Sequence, residues 1–248
     1  MALKIFPFET PEAVALAGAE LFLERAEQAT LLQGVFRVAL SGGSTPKRMF
    51  SILAEAPFRN AIKWDKVHLF WSDERSVPLD HPDSNFKTAK DLLIERVSLL
   101  PSNVHPMPAT PLEAAGDNHY EQTIADDFGV SRGAPPPPFD LIYLGMGSDA
   151  HTASLFPETS ALTITDRWVV RNHVPKLSTT RLTFTFPLIN AARCVCLLVC
   201  GLDKAKPLHE VLLGTPNRNQ FPSQGLNPCG DLFWYGDKAA LSLIPEEK

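Results

Sequence analysis

The chain has 248 residues, 44% of them hydrophobic, enough to bury a core in one large domain without disulfides or metal. Its formal net charge of −5 argues against nucleic-acid partners, which call for a basic face, but permits a locally positive pocket for a small anion. The first eight residues have neither a long apolar core nor a small-residue cleavage site, so no signal peptide is expected. The longest apolar run, Cys194 to Cys200, is too short to span a bilayer, and a cytoplasmic location is expected.

Thr10-Pro11-Glu12 opens a helix over 11–29: Thr can cap it, Pro suits the first turn and Glu complements the dipole. A β-rich run at 35–40 breaks at Ser41-Gly42-Gly43-Ser44-Thr45-Pro46, and a helix follows from near Pro46 to about Ala54. Residues 67–71 read as a strand, Ser84 caps a helix to about Ser98, and 104–107 suit a short strand. A helix is expected over 111–128 with Glu113 and Glu121 exposed. Pro135 to Pro138 form a stiff extended loop that delivers the chain into a strand at 139–144. Further strands are expected at 168–172, 181–186 and 194–200, and a helix at 203–213. This alternation predicts an α/β fold: a mostly parallel twisted sheet with helices on both faces, Rossmann-like, as a single domain over 1–248. Cys194 and Cys196 share one face of a strand, which favours buried thiols over disulfides and a reducing compartment. No C-x-x-C pair or histidine at zinc-site spacing accompanies them.

In such sheets ligands bind outside the carboxyl ends of the strands, and three polar segments fall there. The first is 41–46. Its glycines allow close backbone approach, Ser44 and Thr45 offer hydroxyls, and the following helix N-terminus suits a phosphate. It lacks the Gly-Lys-[Ser/Thr] ending of a Walker loop, and an ordinary capped turn is the plainer alternative. The second is Trp71-Ser72-Asp73-Glu74-Arg75, where two carboxylates and an arginine leave a hydrophobic strand together. A solvated charge cluster is the alternative there. The third is Leu144 to Pro157, whose glycines permit a sharp turn that presents His151 near the start of a helical segment. Histidine is the side chain suited to taking a proton near neutral pH, although a turn histidine is commonly a surface residue. Asp149 and His151 alone do not make a metal site.

At these residues the chain resembles the 6-phosphogluconolactonase family, related to the glucosamine-6-phosphate deaminases. The resemblance is carried by 41–46, Asp73-Glu74-Arg75 with Ser84-Asn85, and Gly145 to Pro157, then by Arg181-Leu182-Thr183 and Gly201-Leu202-Asp203-Lys204-Ala205. One position departs: the family usually has Asp-Gly-His where this chain has Asp149-Ala150-His151. If that position needs a positive φ, Ala150 carries strain of about 1 kcal/mol; otherwise the loop path differs. The deaminases usually continue the histidine motif as Ile-Ala-Phe-Asn-Glu-Pro and follow the first Asp-Glu with Tyr. Here Thr152 to Pro157 follow His151, and Arg75 follows Glu74, which points to the lactonase branch.

The resemblance implies hydrolysis of 6-phospho-D-glucono-1,5-lactone in the pentose phosphate pathway, with a phosphorylated sugar lactone as partner and neither metal nor organic cofactor. It implies His151 as the base, with Asp73 and Asp149 orienting it or the sugar, their two roles unranked. Gly42, Gly43, Ser44, Thr45, Arg75, Arg181 and Lys204 are the implied phosphate contacts. An amino-sugar-phosphate deaminase and a non-catalytic sugar-phosphate sensor are the competing readings.

Overall fold

The computed structural model describes residues 4–108 and 116–245. In chain order its elements are β1 (Lys4–Phe8), α1 (Pro11–Gln33), β2 (Phe36–Leu40), α2 (Ser44–Leu53), α3 (Phe58–Ala61), β3 (Val67–Trp71), β4 (Asp73–Arg75), α4 (Asn85–Leu92) and α5 (Gly116–Phe128). Then follow β5 (Leu141–Leu144), β6 (Val169–Val174), β7 (Thr179–Phe184), α6 (Phe186–Asn190), β8 (Cys194–Val199), α7 (Ala205–Leu213) and β9 (Asp231–Asp237).

Six strands form one all-parallel sheet in the order β1-β9-β8-β5-β2-β3. The α/β expectation therefore holds. Strands β5 and β8 are buried at every position, as a sheet covered on both faces requires. The free thiols of Cys194 and Cys196 lie in that interior, and burial pushes the Cys194 thiol up to about 12. Neighbouring residues of β3 show the two layers. Phe70 packs on Phe128 of α5, whereas Trp71, one residue on and so facing the other way, packs on Phe86 of α4. On β5 the Tyr143 hydroxyl donates to Gly18 O in α1 at 2.6 Å.

Thr10 Oγ1 caps α1 by accepting from Ala13 N, and the helix runs on to a left-handed Gly34 because no breaker precedes it. The expected strands at 168–172 and 181–186 do form, but not in the parallel sheet. They are β6 and β7 of a separate antiparallel sheet, ordered β4-β7-β6. Four of the six positions in β6 are buried, and the two exposed ones alternate with them; that period marks a half-covered antiparallel strand. Ser72 passes the chain between sheets: its N–H donates to Leu40 O and its carbonyl accepts from Phe184 N. Edge strand β1, with exposed positions and a proline, and β9 were not anticipated.

Three further expectations are corrected, and a fourth falls partly outside the described residues. The helix capped by Ser84 ends at Leu92 and gives way to a short 3₁₀ turn at Ile94–Arg96. Of 104–107, Val104 alone pairs, in a single bridge to Leu69. The helix expected over 111–128 is described from Gly116, so Glu113 lies outside the described residues. Glu121 is buried rather than exposed: its Oε1 accepts from Arg167 Nε at 2.9 Å and from the backbone N–H groups of Trp168 and Val169. This carboxylate docks α5 on β6. Among the described residues no helix is long and apolar enough to cross a membrane.

Because Glu121→Ala leaves the Nε of a part-buried guanidinium and two buried backbone N–H groups without their acceptor, it should destabilise the fold by about 3 kcal/mol and lower Tm by roughly 6–12 °C. Thermal unfolding followed by circular dichroism checks this; an unchanged Tm would remove Glu121 from the packing scheme.

Candidate active site

From β2 the chain winds outward to β3, whereas from its neighbour β5 it continues to β8 on the other side. The carboxyl ends of β2 and β5 thus flank the point where the winding reverses, where open α/β sheets bind ligands. A cavity of about 270 Å³ opens there, near the small end of the ~300–1,000 Å³ common for ligand sites. Eight of the ten residues expected at the site line it: Gly42, Gly43, Ser44, Thr45, Asp73, Arg75, His151 and Lys204. Asp149 stands behind His151, and Arg181 beside Arg75.

The 41–46 loop is built around close approach. A Cβ on Gly42 would lie 2.0 Å from Asn85 Oδ1, and Gly43 has a φ of 115°, a region that favours glycine. Helix α2 begins at Ser44 rather than near Pro46, and its capping residue Gly43 makes no side-chain cap bond. Its first-turn N–H groups therefore lack a side-chain acceptor, and its dipole end suits an anion. Lys204 enters from the turn after β8, paired with Asp203 at 2.9 Å.

Strand alternation separates the two carboxylates of β4. Glu74 is fully buried, away from the cavity, and accepts from the N–H groups of Arg75, Asn85 and Phe86 and from Ser84 Oγ. Burial raises its pKa against those donors. Asp73 accepts from Ser154 Oγ at 2.7 Å and from Asn85 Nδ2 at 3.3 Å, and Asn85 also donates to Asp73 O. Arg75 donates to Asp83 O at 2.6 Å and faces Arg181 directly across the β4–β7 pair. Burial and the Arg75 charge together lower the Arg181 pKa, and Arg181 Nε is buried with no hydrogen-bond partner. Two guanidiniums side by side, one incompletely satisfied, concentrate positive charge beside the cavity.

No helix follows His151. Ala150, Ala153 and Glu158 have φ of 61°, 47° and 60°, which keeps the segment a chain of turns. The turn is tied by Gly147 N to His151 O at 2.8 Å and by Ser223, whose N and Oγ both donate to Ala150 O. Asp149 Oδ1 accepts from His151 Nδ1 at 2.5 Å, and Lys176 Nζ donates to Asp149 Oδ2 at 2.9 Å. Burial opposes the Asp149 charge, but His151 and Lys176 outweigh it and hold the carboxyl well below the usual range. An ionised Asp149 selects the tautomer with the proton on Nδ1, leaving the Nε2 lone pair free. Phe156 stacks on the imidazole with centroids 4.0 Å apart. Asp149, not Asp73, is therefore the carboxylate bonded to His151.

Sequence reasoning left out Asn85, Gly147, Phe156 and Lys176. A Cβ on Gly147 would fall 2.1 Å from His151 Nδ1, and the Gly145-Met146-Gly147 pattern carried that signal. Lys176 arrives from the β6–β7 turn, with no local motif to announce it.

The family model for glucosamine-6-phosphate isomerases/6-phosphogluconolactonase matches residues 9–234. The chain belongs to this family. Among curated relatives, a 6-phosphogluconolactonase from Synechocystis sp. is 41% identical, the match covering 93% of this chain and 97% of that protein. One from Nostoc sp. is 39% identical over 96% and 95%. The solved 6-phosphogluconolactonase from Trypanosoma cruzi superposes with a TM-score of 0.87 at 28% identity, covering 99% of this chain and 98% of that one. A monomeric glucosamine-6-phosphate deaminase shares the fold, with a TM-score of 0.79 at 20% identity over 97% of this chain and 100% of that one.

The φ of 61° at Ala150 answers the question raised by the missing family glycine: the loop path is kept and the strain is carried. Ala150→Gly should raise stability by about 0.5–1 kcal/mol, adding roughly 1–4 °C to Tm. A lower Tm would mean that the added entropy of the unfolded chain dominates at this position.

Proposed function

We propose that this chain hydrolyses 6-phospho-D-glucono-1,5-lactone to 6-phosphogluconate, with His151 as the general base. The observation that carries the reading is one shared cavity: an imidazole already polarised by Asp149 at 2.5 Å lines the same space as the uncapped α2 N-terminus, Arg75 and Lys204. The names of the relatives supply the substrate.

In this reading the phosphate rests against the first turn of α2, Arg75, Arg181 and Lys204. There it meets backbone N–H groups, a helix dipole and charged donors. Binding energy gathered at the phosphate orients the lactone carbonyl, so little of it need come from the reacting end. His151 Nε2 takes a proton from water as the water oxygen bonds to C1. The tetrahedral intermediate collapses by breaking the bond between C1 and the ring oxygen, and the imidazolium returns its proton to that oxygen. Water adds across one ester bond, and the imidazole ends as it began. Asp149 stabilises the imidazolium in this reading, and Asp73, which Ser154 and Asn85 hold at the cavity wall, fixes sugar hydroxyls. A lactone is an activated ester, so one positioned base suffices. The reaction belongs to the cytoplasm in this proposal, carried out by a single domain.

His151→Ala should lower kcat by about 10²–10⁴-fold while 6-phosphogluconate still binds; a lactone-opening assay corrected for spontaneous hydrolysis, with calorimetry of product binding, measures both. An unchanged kcat would take His151 out of the mechanism. Arg75→Ala should weaken 6-phosphogluconate by about 10- to 100-fold, the loss of a charge-assisted contact, and leave unphosphorylated gluconolactone nearly unaffected. Equal losses for both ligands would show that Arg75 does not read the phosphate.

A further inference from the structure

His68, His105 and Asp127 form a second cluster of ligating side chains, far from the cavity. His68 lies at the amino-terminal end of β3 and Asp127 near the carboxyl end of α5. The donor atoms of the three residues lie within 4.8 Å of one another. All sit on rigid supports. His105 N donates to Leu69 O in β3, Tyr120 of α5 donates to His105 O, and the His105 ring stacks on Phe70 with centroids 4.4 Å apart.

A plain hydrogen-bonded network accounts for only part of this arrangement. His68 Nδ1 is hydrogen-bonded to Asp127 Oδ2. His105 Nε2 is buried and lies 3.3 Å from the same oxygen, within ion-pair reach but outside hydrogen-bond geometry. A buried ring nitrogen without a well-formed hydrogen bond is costly, and this one lies beside the other two ligating atoms. The second carboxylate oxygen, Oδ1, accepts from Arg37 Nε at 2.5 Å, and Arg37 also donates to Asp127 O at 2.7 Å. That guanidinium orients the carboxylate from behind, as the outer partners of metal-bound carboxylates do. The side chains are 21%, 14% and 6% exposed for His68, His105 and Asp127, which leaves solvent access for a further water ligand.

We propose that His68, His105 and Asp127 form a binding site for a divalent transition metal of the zinc, cobalt and nickel class. Two imidazole nitrogens and one carboxylate oxygen match that class and disfavour magnesium or calcium, which prefer oxygen donors. The ion would tie β3 and the 101–105 turn to α5 as a clasp. Because the cluster sits at the opposite end of the sheet from His151, its occupancy should change stability and not turnover.

The test uses the full chain, stripped with a chelator and titrated with cobalt(II) while visible absorption is followed, then with zinc(II) by calorimetry. One equivalent should bind, with ligand-field bands appearing and Tm rising. His68→Gln and His105→Phe, the latter keeping an aromatic ring against Phe70, should each weaken binding by more than about 100-fold, and Arg37→Gln by about 10- to 100-fold. In His68→Gln the circular dichroism spectrum and kcat should match the parent. Absence of a bound equivalent in the unmodified chain would overturn the proposal. Unchanged affinity in both His68→Gln and His105→Phe would do so too, since the ion would then sit elsewhere, for instance at exposed Cys229.

Discussion

The buried carboxylate of Glu74 holds the walls of the cavity in register. Three backbone N–H groups and the Ser84 hydroxyl converge on it, joining the end of β4 to the start of α4. Asn85 is thereby fixed where its amide reaches Asp73 and its oxygen presses against Gly42. From Asp73 the chain of bonds continues through Ser154 to Thr183 and Asn172 in the antiparallel sheet. The small sheet, the parallel sheet and the glycine loop are thus linked around one buried anion that does not line the cavity. Burying a carboxylate is expensive, and removing donors around it would leave that expense uncompensated. The position is constrained by architecture, although its neighbours Asp73 and Arg75 face the cavity.

An overall charge of −5 conceals a strong local asymmetry. Arg75 and Arg181 are opposed across two strands, Lys204 lines the cavity nearby, and α2 adds its dipole end. Arg75 opposes the Arg181 charge, and Asp73, Glu74 and Asp83 partly offset that repulsion. The positive charge is thus concentrated at one cavity of an otherwise acidic chain.

The parts of the fold visible in the sequence are those governed by local chemistry. Thr10 with Pro11 announced α1, the apolar runs at 67–71, 139–144 and 194–200 announced buried strands, and the glycine-bearing turns announced the loops. What escaped depends on distant partners. Nothing near Glu121 signals that Arg167 and the start of β6 will meet it. Strands β6 and β7 look like sheet candidates either way, and only Ser72, passing the chain from Leu40 to Phe184, assigns them to a second sheet. In the site, His151 and Asp149 were legible as a pair two residues apart. Which of Asp73 and Asp149 would touch the imidazole was not, because the answer lies in a turn whose path is set by left-handed residues and by Ser223, more than 70 positions away.

The fold alone does not fix the chemistry. A deaminase shares the fold at a TM-score of 0.79, so the sheet and its switch point do not select a reaction. Selection must come from what the loops place there. After His151 this chain folds back at Ala153, bridges Thr152 to Leu155 and lays Phe156 flat on the imidazole. The ring is clamped between Phe156 on its face and Asp149 on Nδ1, with Gly147 leaving just enough room beside it. An imidazole so confined keeps Nε2 as the ring nitrogen not engaged by Asp149. The left-handed strain at Ala150 is the local consequence of that clamp, and the two bonds from Ser223 hold it in place.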